Sequence, residues 1–292
     1  MPNCITHFLQ AKAVLSALPE NIKISLNRNA YFWAAQGSDF LFCHRFLPWM
    51  HGDSIKEYED KIHRVNPSSL FTAFKSYLDI NPDNEIAHSY VLGFINHYTL
   101  DSIAHPYVIS LALELLKDNP AQNEDTLHVY IESSIDTIML RKETGKLPSQ
   151  VNLKAFLPKD TEVQHEIAKL YVYIIFELFH VKIDDSKVYQ ATADARKVFA
   201  LLNDPTTLKK KIFTFTEKGK PQNIGSHILP LIEDSSVDFV NASEAQWTNE
   251  SGETSSKTFF ELFDDANDLS VKLIEDFDKG SMQTDLLPAM QV

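Results

Sequence analysis

The sequence predicts an all-α protein. Only eight glycines occur in 292 residues, which leaves few places for hairpin turns or sheet edges. Strict apolar/polar alternation is scarce. Helix start and stop signals, by contrast, recur along the chain: Asn66-Pro67 puts proline at a first helical position, Gly37 and Gly145 stand where apolar helices end, and Asn81-Pro82 and Asn119-Pro120 break the chain.

These signals order the elements. Thr6 is expected to cap a helix running to Leu18, and a short helix spans Asn29 to Gln36 and stops at Gly37. Residues 38–52 read as an aromatic-rich loop holding Asp39, His44, Pro48, Trp49 and His51. Ser54 opens a helix to His63, and Asn66-Pro67 opens another. A long helix follows from Asn84 to beyond Pro106, whose ring is expected to kink it just after His105. The His128 helix ends near Gly145, and further helices cover 160–181, 186–203, 206–217 and 256–277. The polar stretch Glu233–Ser256, interrupted by Trp247, is long for a compact domain and reads as a mobile loop or a lid. The expectation is one all-α domain over 1–292, with a metal-binding core at 1–145, a helical half at 146–280 covering the site, and a disordered tail at 281–292.

The chemistry concentrates between Gly93 and Pro106, where His97, Asp101 and His105 stand at i, i+4 and i+8. At about 100° per residue, they form a slowly drifting stripe on one helix face. The remaining faces carry Tyr90, Val91, Leu92, Phe94, Ile95, Tyr98, Leu100 and Ile103, so the helix is expected to be buried all round. A buried carboxylate between two imidazoles is costly to desolvate unless a cation holds it, and a metal ion uses all three groups as ligands. The competing readings are a Ser/His-type site or a purely structural network. About one helix later His128 and Glu132 repeat the i, i+4 spacing that lets two side chains chelate one ion. These five groups are too many for one metal. Imidazole and carboxylate without thiolate suit zinc, ahead of iron or manganese, and no Cys-x2-Cys pair suggests a zinc finger.

Composition bounds the function. A net charge of −13 argues against a phosphate-tracking groove for long nucleic acid, although bound divalent ions would reverse the field locally. Lys209-Lys210-Lys211 is the only basic run and reads as a solvated helix face. No apolar run reaches transmembrane length, and the opening MPNCITHFLQAKAVL lacks a secretory pattern, so a cytoplasmic protein is expected. Cys4 and Cys43 are too few for a disulfide framework and read as structural thiols.

With these residues assembled, the chain resembles the zinc-dependent phospholipase C superfamily, which also contains single-strand nucleases, and within it an intracellular branch beginning Met-Pro. The matching elements are Thr6-His7, Gln36-Gly37-Ser38-Asp39-Phe40, Lys61-Ile62-His63, His97-x3-Asp101-x3-His105-Pro106 and His128-x3-Glu132. They agree in order and spacing over residues 1–142. The second half matches loosely, through Trp247 and the Phe259 helix. The resemblance implies a multi-helix bundle and two to three zinc ions per chain. One ion would take Asp39, His63, His97 and Asp101. A second would take His105, His128 and Glu132. A third would take His7, Asp101 as a bridge, and the amine and carbonyl of Pro2 after loss of Met1. His51 and His44 compete with His63, which is favoured because it ends a predicted helix just before an Asn-Pro break.

The activity implied is hydrolysis of phosphate esters, foremost phosphodiesters, by a metal-bridging hydroxide, with Asp39 as general base or orienting group and Asp101 shared between metals. Small phosphoesters, phospholipid head groups and nucleotides all fit such a site. Phe40, Phe42, Phe46 and Trp49 could line a pocket or stack a base, or be core. Other readings are a metal-stabilised interaction module with saturated ligands, and an iron oxygenase.

Overall fold

A computed structural model describes residues 4–47, 49–118, 123–217, 224–231, 234–284, 287, 288 and 290. The fold is an all-α bundle organised round one helix, α6 (Glu85–Asp118), which is 34 residues long and runs through Pro106 without ending there. Its middle is sealed on all sides: Tyr90, Val91, Leu92, Phe94, Ile95 and Tyr98 are fully buried. Helices α1 (Cys4–Ala17), α3 (Arg28–Ala34), α7 (Glu124–Thr144) and α11 (Phe259–Asp278) pack directly on it. At Gly93 the approach is so close that an added Cβ would stand 2.3 Å from the Tyr31 carbonyl oxygen and 2.8 Å from the Ala34 Cβ. A side chain there would push α3 off α6.

Sequence signals explain most element ends. Asn27 caps α3 by accepting from the Ala30 amide, Asn66 caps α5 (Pro67–Ile80) with Pro67 in its first turn, and Asn123 caps α7. Gly145 closes α7 at φ 67°, a left-handed conformation that costs glycine little. Thr258 and Glu261 form a reciprocal capping box at the start of α11, whose buried face is Phe259, Leu262, Phe263, Ala266, Leu273 and Ile274. Burying each of the larger of these contributes about 1.5–3 kcal/mol before ordering entropy is counted.

Several expectations need correction. Thr6 lies inside α1 rather than at its cap, because a carboxylate from α7 serves the free amides instead. A short helix, α2 (Glu20–Ser25), precedes α3, and α4 (Glu57–His63) starts later than Ser54, whose hydroxyl instead donates to the His44 carbonyl. The 38–52 stretch contains a 3-10 turn over Asp39–Leu41.

The second half of the chain supplies α8 (Thr161–Phe179), α9 (Asp185–Leu202), α10 (Leu208–Thr216) and α11. Helix α8 packs on α5 and α9, and α9 reaches the Asp39 turn. The stretch read as a lid is pinned rather than loose. The Asn241 side-chain amide donates to the carbonyls of Ala245, Ser256 and Lys257, and strands β1 (Trp247–Thr248) and β2 (Thr254–Ser255) pair antiparallel. Trp247 meets the Tyr107 ring of α6 edge-on. The tail also makes contacts: Met290 is buried, Thr284 donates to Ser68, and the Tyr98 hydroxyl donates to the Pro288 carbonyl. No helix among the described residues is long and apolar enough to cross a membrane.

Candidate metal centre

Four elements deliver side chains to one point beside the middle of α6. His97 and Asp101 project from α6 itself, Asp39 from its 3-10 turn, His63 from the last residue of α4, and His7 from the second turn of α1. All five are buried. His63 Nε2 lies 3.1 Å from His97 Nε2, 3.3 Å from Asp39 Oδ1 and 3.5 Å from Asp101 Oδ2. His97 Nε2 lies 3.1 Å from Asp101 Oδ2 and 3.6 Å from Asp39 Oδ1. Five of the six separations among these four donor atoms lie between 3.1 and 3.6 Å, and His63, His97 and Asp101 converge as one group. Zinc bonded at about 2.0–2.1 Å to four N/O donors would have edges of about 3.3–3.4 Å. The second oxygen of Asp101 turns away to His7 Nε2 at 3.2 Å, as a carboxylate shared by two ions would.

One turn further along α6, His105 meets α7. His105 Nε2 and His128 Nε2 each stand 3.0 Å from Glu132 Oε1. The carboxylate is buried, whereas the His105 and His128 side chains are 15% and 22% exposed, so this trio opens toward solvent. His63 with His97 and Asp101, His105 with His128 and Glu132, and His7 with Asp39 and His97 each converge closely enough to hold a metal ion.

The electrostatics fit a cation. The ion pairs of Asp39, Asp101 and Glu132 run to imidazoles. Burial would raise Asp39, but His97 and His63 outweigh it and hold the carboxyl at about 2. Asp101 is held well below the ordinary range against its own burial by His97, His7 and His105, and Glu132 likewise by His128 and His105. Burial drives His97 down to about 4. It also works against the charge on His63, yet Asp101 and Asp39 raise that imidazole well above its usual value. Without a metal, a proton on His63 Nε2 thus occupies the gap between two ring nitrogens and two carboxylates. His63 Nδ1 donates to the Glu59 carbonyl at 2.8 Å, which fixes the ring and turns Nε2 toward the cluster. The Nδ1 atoms of His7 and His97 are buried without a hydrogen-bond partner among the described residues.

The structure brings together eight of the expected ligands, His7, Asp39, His63, His97, Asp101, His105, His128 and Glu132. Pro2 lies outside the described residues. Of the competing histidines, His51 is exposed, and His44 is buried with its Nδ1 accepting from the Ile55 amide. Neither cysteine belongs to a ligand group among the described residues, and burial raises both thiols. Phe40 is corrected from pocket lining to core: it follows Asp39 on a tight turn, points away from the cluster and packs edge-on against Trp33 and Tyr171. Trp49 is 61% exposed. Phe42 is half-buried against Phe46 and His227. Burial pushes His227 down to about 3 although Glu132 lies near enough to oppose the shift.

Sequence reading missed Glu59, which offers both its carbonyl and, at 3.6 Å, its carboxylate to His63 Nδ1. The i, i+4 spacing of Glu59 and His63 was the available signal. Comparison with family models, with curated proteins and with solved structures gives no significant match.

Proposed function

We propose that the protein is a zinc-dependent hydrolase of phosphate esters, acting foremost on phosphodiesters in the manner of a phospholipase C. The observation that carries the reading is the buried group of His63, His97 and Asp101, with Asp39 beside both imidazoles and Asp101 shared with His7, set one helical turn from an open His/His/Glu trio. Ligand order and spacing also resemble the zinc-dependent phospholipase C superfamily. Zinc ions held there would supply Lewis acidity toward a phosphoryl oxygen and would acidify a water.

The chain's own residues do the rest. Asp39, ionised at neutral pH, accepts a hydrogen bond from the attacking water and orients it; a carboxylate held at about 2 is a weak base, so orientation is its larger contribution. Asp101 presents one oxygen to His7 and the other to His97, so it would be the carboxylate shared by ions held at the two groups. The exposed edges of His105 and His128 leave a face through which a substrate phosphate can enter. That opening also favours catalysis over an interaction module with saturated ligands.

The test is elemental analysis of purified protein beside turnover of p-nitrophenyl phosphomonoesters, phosphodiesters and phosphorylcholine esters. Two or three zinc ions per chain, with diester hydrolysis that chelation abolishes, are expected. One ion or none after purification in zinc, or iron in place of zinc, would overturn the proposal.

A further inference from the structure

Helix α7 carries two buried carboxylates one turn apart, and only the first faces the trio. Glu132 turns to His105 and His128, whereas Asp136, 1% exposed, turns to the start of α1. There it accepts from the Ile5 amide at 3.1 Å, the Thr6 amide at 2.8 Å and the Thr6 hydroxyl at 2.7 Å. First-turn amides lack acceptors within their own helix, and the positive end of the helix dipole favours an anion beside them. Asp136 therefore caps α1 from another helix, and Thr6 is fully buried in the contact.

His7 follows Thr6 directly, and its Nε2 faces Asp101 Oδ1 at 3.2 Å. The connections close a ring. Asp101 and His105 stand one turn apart on α6, Glu132 and Asp136 one turn apart on α7, His105 meets Glu132 across one gap, and Asp136 reaches His7 through Thr6 across the other. The stretch of α1 that carries His7 is thus placed by Asp136.

We infer that Asp136 is a positioning residue for the ion held by His7 and Asp101: it clamps the first turn of α1 to α7 so that His7 Nε2 is already aimed at Asp101 before metal arrives. The inference rests on the zinc reading above. Groups that hold a ligand in place commonly contribute about 10–100-fold to metal affinity. Asp136 does so through the backbone and hydroxyl of the preceding residue and touches no reacting atom.

The experiment is a zinc titration of the full chain against a chromophoric chelator, paired with backbone hydrogen exchange of the metal-free protein. In Asp136→Ala, one zinc equivalent should weaken by about tenfold or more while the rest bind as in wild type. The Ile5, Thr6 and His7 amides should exchange faster even without metal. Asp136→Asn, which keeps one acceptor oxygen, and Thr6→Val, which removes one bond, should shift the same equivalent by less, and they carry the test if Asp136→Ala does not fold. Zinc binding and exchange equal to wild type, or equal weakening of every equivalent, would overturn the positioning role alone. Wild-type protein that takes up no zinc would overturn the hydrolase reading and this inference with it.

Discussion

Asp101 stands where two sets of imidazoles meet: Oδ2 lies 3.1 Å from His97 Nε2, and Oδ1 lies 3.2 Å from His7 Nε2. Asp101→Asn keeps the shape and removes the charge. It is expected to cost more than one zinc equivalent and to abolish diester hydrolysis, both read on the purified variant; full zinc content would show that the carboxylate is not shared. Gly37 is the second residue on which the site depends. It has φ +49°, and a Cβ there would lie 1.9 Å from Cδ2 and 2.2 Å from Nε2 of His97, whose ring is fully buried and cannot retreat. Gly37→Ala should therefore destabilise the metal-free protein by about 2–4 kcal/mol, from left-handed strain plus overpacking. Urea unfolding measures it, and a loss below about 1 kcal/mol would mean that the turn relaxes at little cost. His97, Asp101, His105, His128 and Glu132 could be read from residue type and spacing, whereas His7, Asp39 and His63 entered only through the family resemblance. Gly37's closeness to His97 could not, since it depends on a contact across 60 positions of sequence.

At the scale of elements, α6 and α7 act as two rails whose facing carboxylates and imidazoles are set by the same four-residue step. Glu132→Gln should empty the trio with His105 and His128, losing about one equivalent and leaving the group of His63, His97 and Asp101 filled. Zinc content after dialysis checks this, and a loss of two or more would mean that the groups fill only together. The step of four was legible because helix geometry converts spacing directly into a shared face. The helix start at Asn66-Pro67 and the end at Gly145 were equally legible, because capping is local chemistry, whereas the caps Asn123 and Thr258 went unread. What was not legible depended on partners distant in sequence. Thr6 has the composition of a cap, yet the anion that serves α1 is Asp136, 130 positions away. Phe40 stood as possible pocket lining by its closeness to Asp39, but successive residues of a 3-10 turn point about 120° apart, and this one meets Trp33 and Tyr171 in the core. The polar 233–256 stretch resembled a loose lid because composition does not reveal that Asn241 donates to three carbonyls.

For the whole molecule, the site ties α1, the Asp39 turn, α4, α6 and α7 together, so what binds there is linked to global stability. Without metal, Asp39 lies at about 2, and Asp101 and Glu132 are also depressed; their stabilisation is complete above the ordinary carboxylate range and is lost as acid protonates them. His7 and His63 are raised above 6.5, so their contribution is complete below that value and is lost as pH climbs through their folded values. His97, at about 4, and His227, at about 3, gain stability as pH rises to 6.5, while Asp136, at about 6, loses it as pH rises from 3.8; Asp136 offsets only one of the two gains. The metal-free protein should thus be most stable at roughly pH 6 to 6.5, where the imidazolium–carboxylate pairs are still charged. Zinc requires those imidazoles to be neutral, so it must displace the protons on His7 and His63 and binds more tightly as pH rises. The gain in melting temperature on adding zinc should accordingly grow from pH 5.5 to pH 7.5, reaching on the order of 10 °C at a thousandfold excess over Kd. Thermal scans at the two pH values, with and without chelator, test this. A zinc increment equal at both, or larger in acid, would mean that the ion does not compete with protons for these histidines.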